Sequence, residues 1–177
     1  MVGSKANSAL TNCVFENNAA TAFGGAVTTS SSSGRLTLDT CVFTENTAGG
    51  TTLGGGAVCC GVLVISGGTT VMTGNIAATS NGGAICLQNT SCSISNGASL
   101  QMSNNSAISG YGDDLCLAEG GIVTHNGNVI GSLNFYVIGA AAGSPVLTGS
   151  NVSAQYSRFI FDNSVLSVSG NGTLCAA

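Results

Sequence analysis

The sequence predicts an all-β chain wound as a right-handed, single-stranded parallel β-helix (a β-solenoid) of about six coils, each 27–31 residues long. Three observations carry this expectation. Two unrelated motifs recur with one period, the apolar runs between them are short and strand-like, and the composition cannot fill a conventional core.

The period comes first, because a repeat decides the fold. One signal is an aromatic residue or Met followed three positions later by Asn. It occurs as Phe15/Asn18, Phe43/Asn46, Met72/Asn75 and Met102/Asn105, at intervals of 28, 29 and 30. The other is Gly-Gly-Ala followed by an aliphatic residue: Gly24-Gly25-Ala26-Val27, Gly55-Gly56-Ala57-Val58 and Gly82-Gly83-Ala84-Ile85. A degenerate fourth copy, Gly112-Asp113-Asp114-Leu115, follows, and these intervals are 31, 27 and 30.

The runs between the motifs are strand-like. Leu36-Thr37-Leu38, Thr40-Cys41-Val42-Phe43, Leu63-Val64-Ile65, Val129-Ile130 and Phe159-Ile160-Phe161 are separated by Gly, Asn and Ser clusters of the kind turns require. Each period therefore reads as one coil with about three short strands. Six rungs at roughly 4.8 Å would make a rod about 29 Å long. Helical repeats are excluded by 27 Gly, and a leucine-rich horseshoe by the lack of regularly spaced Leu. Residues 1–177 form a single domain, with regular repeats over 10–117 and irregular coils and a C-terminal cap over 118–177.

The composition fits. Charged residues are 6% of the chain, against roughly 25% in an ordinary domain. Aromatics are 5% and Trp is absent, yet 44% of residues are hydrophobic. Many small apolar groups must therefore be buried in a regular way, which stacked rungs achieve.

The repeat assigns jobs. Phe or Met fills the interior, and Asn sits at a turn where its amide can bond backbone and stack in a ladder. Gly-Gly allows a corner, and the aliphatic residue returns to the core. Alternation then points Val58, Ile85, Leu115, Cys60, Leu87 and Leu117 inward. It points Ala57, Ala84, Asp114, Thr28, Cys59, Cys86 and Cys116 outward. On another strand Cys13 and Cys41 face inward, in the slot taken by Thr70 and Leu100.

Charge excludes one class of partner. Lys5, Arg35 and Arg158 are the only cations in a chain of net charge -4, so no nucleic-acid partner is expected. No apolar run is long enough for a transmembrane helix, and residues 135–142 are far too few. Eight Cys in so small a chain point to disulfides and an oxidising compartment: Cys13, Cys41, Cys59, Cys60, Cys86, Cys92, Cys116 and Cys175. Eight Cys allow 105 pairings. Register offers Cys13 with Cys41 and Cys59 with Cys86, while an unoxidised core ladder is the alternative for the first pair. No Cys-x-x-Cys occurs, and neither a metal nor a cofactor is expected. Asn89, Asn104, Asn151 and Asn171 head N-glycosylation sequons, which act only in a secreted eukaryotic protein.

The two tetrapeptides resemble the repeats of chlamydial polymorphic membrane proteins, with Gly-Gly-Ala-(Ile/Leu/Val) and Phe-x-x-Asn over about residues 10–117. Met72 and Met102 depart from Phe. Similar repeats occur in surface proteins of protists and algae. The resemblance implies a β-helical, extracellular, adhesion-type passenger.

Three other functions have candidate residues in the sequence. Asp113-Asp114 with His125-Asn126-Gly127 resembles the paired Asp and downstream His-x-Gly of polygalacturonase-like β-helical hydrolases. The acidic partner motif and the Arg-x-Lys clamp of that family are missing, and the Asp pair replaces Gly-Ala in the repeat. A lyase calcium site would need a carboxylate cluster, and Glu16, Asp39 and Glu45 read as a solvated edge. Ice binding would need a regular Thr column, and Thr28, Thr51 and Thr69 fall in different slots. The sequence therefore reads as a non-enzymatic structural or adhesive module at the cell surface or outside it. Its partners are a surface protein, a glycan, or further copies of itself stacked head-to-tail into a filament.

Overall fold

The computed structural model describes residues 7–29, 32–52, 54–89, 91–162, 166–168 and 173–176. The chain winds into a β-solenoid of about five turns rather than six. Each of the first four coils contributes four short strands rather than three, one to each of four sheets.

The first sheet stacks Asn7–Thr11, Arg35–Asp39, Val62–Gly67, Ser91–Ile94, Ile122–His125 and Pro145–Thr148 in parallel. Leu174–Ala176 and Leu166–Val168 then join it antiparallel. The second sheet stacks Val14–Glu16, Val42–Thr44, Thr69–Thr73, Ser99–Ser103 and Asn128–Gly131. The third holds four two-residue strands: Ala19–Ala20, Thr47–Ala48, Ile76–Ala77 and Ser106–Ala107. The fourth holds Val27–Thr28, Val58–Cys60, Ile85–Leu87, Leu115–Leu117, Leu133–Val137 and Phe159–Phe161. One helical element, the 3-10 segment Ser153–Arg158, lies among the described residues.

In-register stacking turns each repeat position into a column. Phe15, Phe43, Met72 and Met102 stand in one, and the first two rings stack 4.8 Å apart at 9°. Leu10, Leu38, Ile65, Ile94 and His125 stand in another. Cys41 lies level with Thr70, whose hydroxyl accepts its backbone N–H, and Leu100 lies above. These side chains are almost wholly buried from the second coil onward, so each rung packs against two like neighbours.

Asn builds the tightest column. Asn18, Asn46 and Asn75 each donate their side-chain amide and their backbone N–H to the Oδ1 of the next Asn, at 2.9–3.1 Å. The amides of Asn46, Asn75 and Asn105 also donate back to the carbonyls of Phe15, Phe43 and Met72. Buried backbone groups at a sharp corner are thereby satisfied where no ladder could reach them.

The Gly-Gly-Ala corner corrects the expected directions. Ala57 and Ala84 are fully buried and pack in the core, and Asp114 is 7% exposed. The carbonyls of Ala57, Ala84 and Asp114 each accept two successive N–H groups from the coil below. The chain therefore bends there, and strict alternation fails because it holds only along a straight strand. Gly55 has φ +74°, and a Cβ on Gly56 would sit 2.2 Å from the carbonyl oxygen of Gly83. Only glycine fits both places.

Cys59, Cys86 and Cys116 leave the core face as expected but are buried rather than exposed. The Gly turns of neighbouring coils lie over them: a Cβ on Gly55 would meet the backbone N of Cys86, and one on Gly82 the Cβ of Cys116.

The fifth coil is short. Val123 pairs with Leu147, an interval of 147 − 123 = 24 residues, against 27–31 between the earlier rungs of the same sheet. Only Ser132 separates the Asn128–Gly131 strand from Leu133–Val137, so the third-sheet strand and the glycine turn are both missing from this coil.

Candidate functional site

The third sheet and the Asn column both end where the fifth coil shortens, and the Asp pair stands at that end. Asp114 replaces the corner Ala. Its Oδ1 accepts from the Asn105 amide at 2.9 Å and its Oδ2 from the Asn134 N–H at 2.8 Å. Asp113 Oδ1 accepts the N–H of Ala107 at 2.9 Å, the group a next strand would have taken. The two carboxylates thus terminate a sheet edge and an amide ladder. Carboxylates suit the task because they are pure acceptors facing pure donors. Burial holds the Asp114 carboxyl above the usual carboxylate range, opposed by the bonds from Asn134 and Asn105; Asp113 and Asp162 add to the rise.

His125 belongs to a different network. It is fully buried in the Ile94 column. Its Nε2 lies 2.9 Å from Gln155 Oε1, and its ring meets Phe159 edge-on at 5.1 Å. Gln155 Oε1 also accepts the Val129 N–H at 2.8 Å, so this atom is the oxygen and His125 Nε2 is the donor. His125 Nδ1 is left buried without a partner, and burial lowers the ring's pKa. The bonds made by Asp113 and Asp114 involve neither His125 nor Gln155. A hollow of about 150 Å3 between Glu119, Val137, Ala140 and Pro145 contains none of them.

The cysteines divide into two environments. Cys59, Cys86 and Cys116 stand in direct register on three successive rungs. Gln88 donates to Cys59 Sγ at 3.4 Å. The neighbouring Cys86 thiol and burial raise the Cys59 thiol far above its usual range, and the bond to Cys116 pushes Cys86 up to about 12. Cys60 and Cys92 lie in the core, where burial raises both, Cys92 to about 12. Cys41 Sγ donates to Leu10 O at 3.3 Å, and Cys13 stands in the slot below. Cys13, Cys41, Cys59, Cys60, Cys86, Cys92 and Cys116 are thiols in this structure. Among the described residues no group of three or more His, Cys, Asp or Glu is placed to hold a metal ion.

The sequons differ in access. Asn104 is exposed at a left-handed turn, φ +55°. The amides of Asn89 and Asn151 are bonded to Ser32 O and Gly127 O. Asn171 lies outside the described residues. Thr28 stands level with Cys59 and Thr69 with Ser99, on different sheets.

Sequence reasoning missed an aromatic feature at the same coil end. Tyr111 is 56% exposed and stacks on Tyr136 at 4.9 Å. The cue was available: Tyr136 continues the Cys59–Cys86–Cys116 column, where a large ring replaces a thiol.

Residues 12–30 and 40–61 match the Chlamydia polymorphic membrane protein (Chlamydia_PMP) repeat. No curated protein and no solved structure matches the chain.

Proposed function

Because this chain carries polymorphic membrane protein-like repeats wound into a β-solenoid, we propose that it is a non-enzymatic structural or adhesive module displayed outside the cytoplasm. The observation that supports this reading most directly is the use of the polar residues. Asn46, Asn75, Asn105, Asp113 and Asp114 spend their hydrogen bonds on backbone and on each other. A general acid or base must instead present its proton-transferring atom to a substrate. Asp114 presents neither oxygen.

The finer parts of the proposal are self-association, a surface protein or glycan as partner, disulfides drawn from the in-register thiols, and glycosylation centred on exposed Asn104. Cell-surface labelling with an antibody against the chain tests the reading. Labelling of intact cells is expected, with binding to a target surface unchanged by Asp114→Asn. Labelling only after permeabilisation, or glycan cleavage that Asp114→Asn abolishes, would refute it.

A further inference from the structure

Four Asn-Gly pairs occur in the sequence: Asn81-Gly82, Asn96-Gly97, Asn126-Gly127 and Asn171-Gly172. Such a pair carries its own chemistry. The glycine nitrogen can attack the side-chain carbonyl carbon of the Asn before it, and glycine has no Cβ to obstruct the approach. The attack needs an Asn side chain free to turn and a glycine N–H that no acceptor holds. The fold grants these conditions unequally.

Two pairs are closed. The Gly82 N–H donates to Tyr111 O at 3.0 Å, and Asn81 Oδ1 accepts the Tyr111 N–H at 2.8 Å. The Gly127 N–H donates to Ile94 O at 3.0 Å, and Asn126 Oδ1 accepts both the N–H and the hydroxyl of Ser150. Asn171-Gly172 lies outside the described residues.

Asn96-Gly97 is open. Both residues are exposed. Among the described residues no hydrogen bond engages the Asn96 side chain or the Gly97 N–H. They are the central pair of a turn closed by the Ala98 N–H, which donates to Ser95 O at 3.0 Å, and Gly97 has φ +80°. A Cβ on Gly97 would meet nothing within 4 Å, whereas one on Gly127 would sit 2.3 Å from Ser95 O.

Register explains the openness. The corner between the first and second sheets takes 69 − 65 = 4 steps from Ile65 to Thr69, 99 − 94 = 5 from Ile94 to Ser99 and 128 − 125 = 3 from His125 to Asn128. The ends of these three segments lie level with one another, so the fourth coil carries more chain through its corner than the coil on either side. The surplus stands out into solvent at Asn96 and Gly97. Nothing there opposes the backbone pivot that brings the Gly97 nitrogen to Asn96 Cγ.

We infer that Asn96 is a self-modification site, converted to aspartate and isoaspartate without an enzyme. The Gly97 nitrogen gives its proton to hydroxide or water and bonds to Asn96 Cγ. The Cγ–Nδ2 bond breaks and ammonia leaves. Water then opens the resulting five-membered imide at one of its two carbonyls. Opening at Cγ leaves an ordinary Asp, and opening at the backbone carbonyl routes the main chain through Cγ. One water is consumed and one ammonium released per carboxylate formed, and the net charge passes from -4 to -5. The longer main chain of the isoaspartate product is accommodated because Gly97 has no neighbour to meet.

The test incubates the 177-residue protein in mildly alkaline buffer, folded and in urea, and follows each pair by peptide mass mapping with fragmentation that separates Asp from isoaspartate. In the folded protein Asn96 should convert at least about tenfold faster than Asn81 or Asn126, whose bonds must open first. In urea the three should convert at similar rates. Asn96→Gln, with an unchanged circular dichroism spectrum, should abolish the first acidic species to appear on ion exchange. Asn81 or Asn126 converting as fast as Asn96 in the folded protein, or Asn96 still intact when the chain in urea has converted, would overturn the inference.

Discussion

Lowering the pH from 7.5 to 5 should loosen this protein through one residue. His125 is the only histidine, so few other groups titrate in that window. Its proton sits on Nε2, donated to Gln155, and the bare Nδ1 is buried. A second proton on Nδ1 would place an unpartnered N–H and a full charge among Ile94, Gly149 and Phe159, none of which titrates. Burial accordingly lowers the folded-state pKa below the ordinary 6.5.

A depressed pKa for a base means that the unfolded chain binds the proton first. Stability should therefore fall as pH drops through about 6.5, by at most ~1.4 kcal/mol per pH unit. The loss ends at the folded-state pKa, where both states carry the proton. By pH 5 it would be no more than about 2 kcal/mol. Asp114 acts with the opposite sign, since its folded-state pKa is raised: it adds stability as the carboxyl protonates on acidification.

The assay is urea unfolding followed by circular dichroism at pH 7.5, 6.5, 5.5 and 5.0, on wild type and His125→Ile. The Ile variant copies the residue one coil below, Ile94, and leaves Gln155 Oε1 its bond from Val129. Wild type should lose stability across the series while His125→Ile does not. Identical slopes in the two proteins, or rising wild-type stability from pH 7.5 to 5.5, would refute the reasoning.

Other substitutions probe the columns. Asn75→Leu strips the Oδ1 that takes two bonds from Asn46 and the amide that serves Phe43 O; with several buried groups left unpaired at about 1–3 kcal/mol each, unfolding by heat should be markedly earlier or folding lost. Asp114→Asn turns one acceptor into a donor facing Asn105 or Asn134 and should cost about 1–3 kcal/mol in chemical denaturation. Phe43→Ala removes a fully buried ring stacked on Phe15, and the unfolding midpoint should report a cost of about 3–5 kcal/mol. In a glycosylating host, peptide mass mapping should find glycan at Asn104 before Asn89 or Asn151, whose amides are already bonded; the reverse order would count against access as the determinant.

The fold was legible because a solenoid writes its geometry in the period. Phe15, Phe43, Met72 and Met102 had to be one column once their intervals agreed, and the Asn three residues on had to be another. Local pattern suffices where each rung touches only its neighbours. The corner was less legible. Alternation points Ala57 and Ala84 outward, but a bend places two successive residues on the same side, and a period-2 rule carries no information about bends.

The sequence by itself determined the repeat, the parallel stacking, the interior Phe and Met and the poverty of charge. Only the tertiary structure decided what Asp113 and Asp114 are for. Their meaning depends on a strand that the fifth coil lacks, and a missing neighbour leaves no mark at the positions it would have bonded. The structure also stacks Tyr111 on Tyr136 from 25 residues away, 136 − 111. It places His125 at the end of a column of aliphatic residues, where burial rather than residue type sets its protonation.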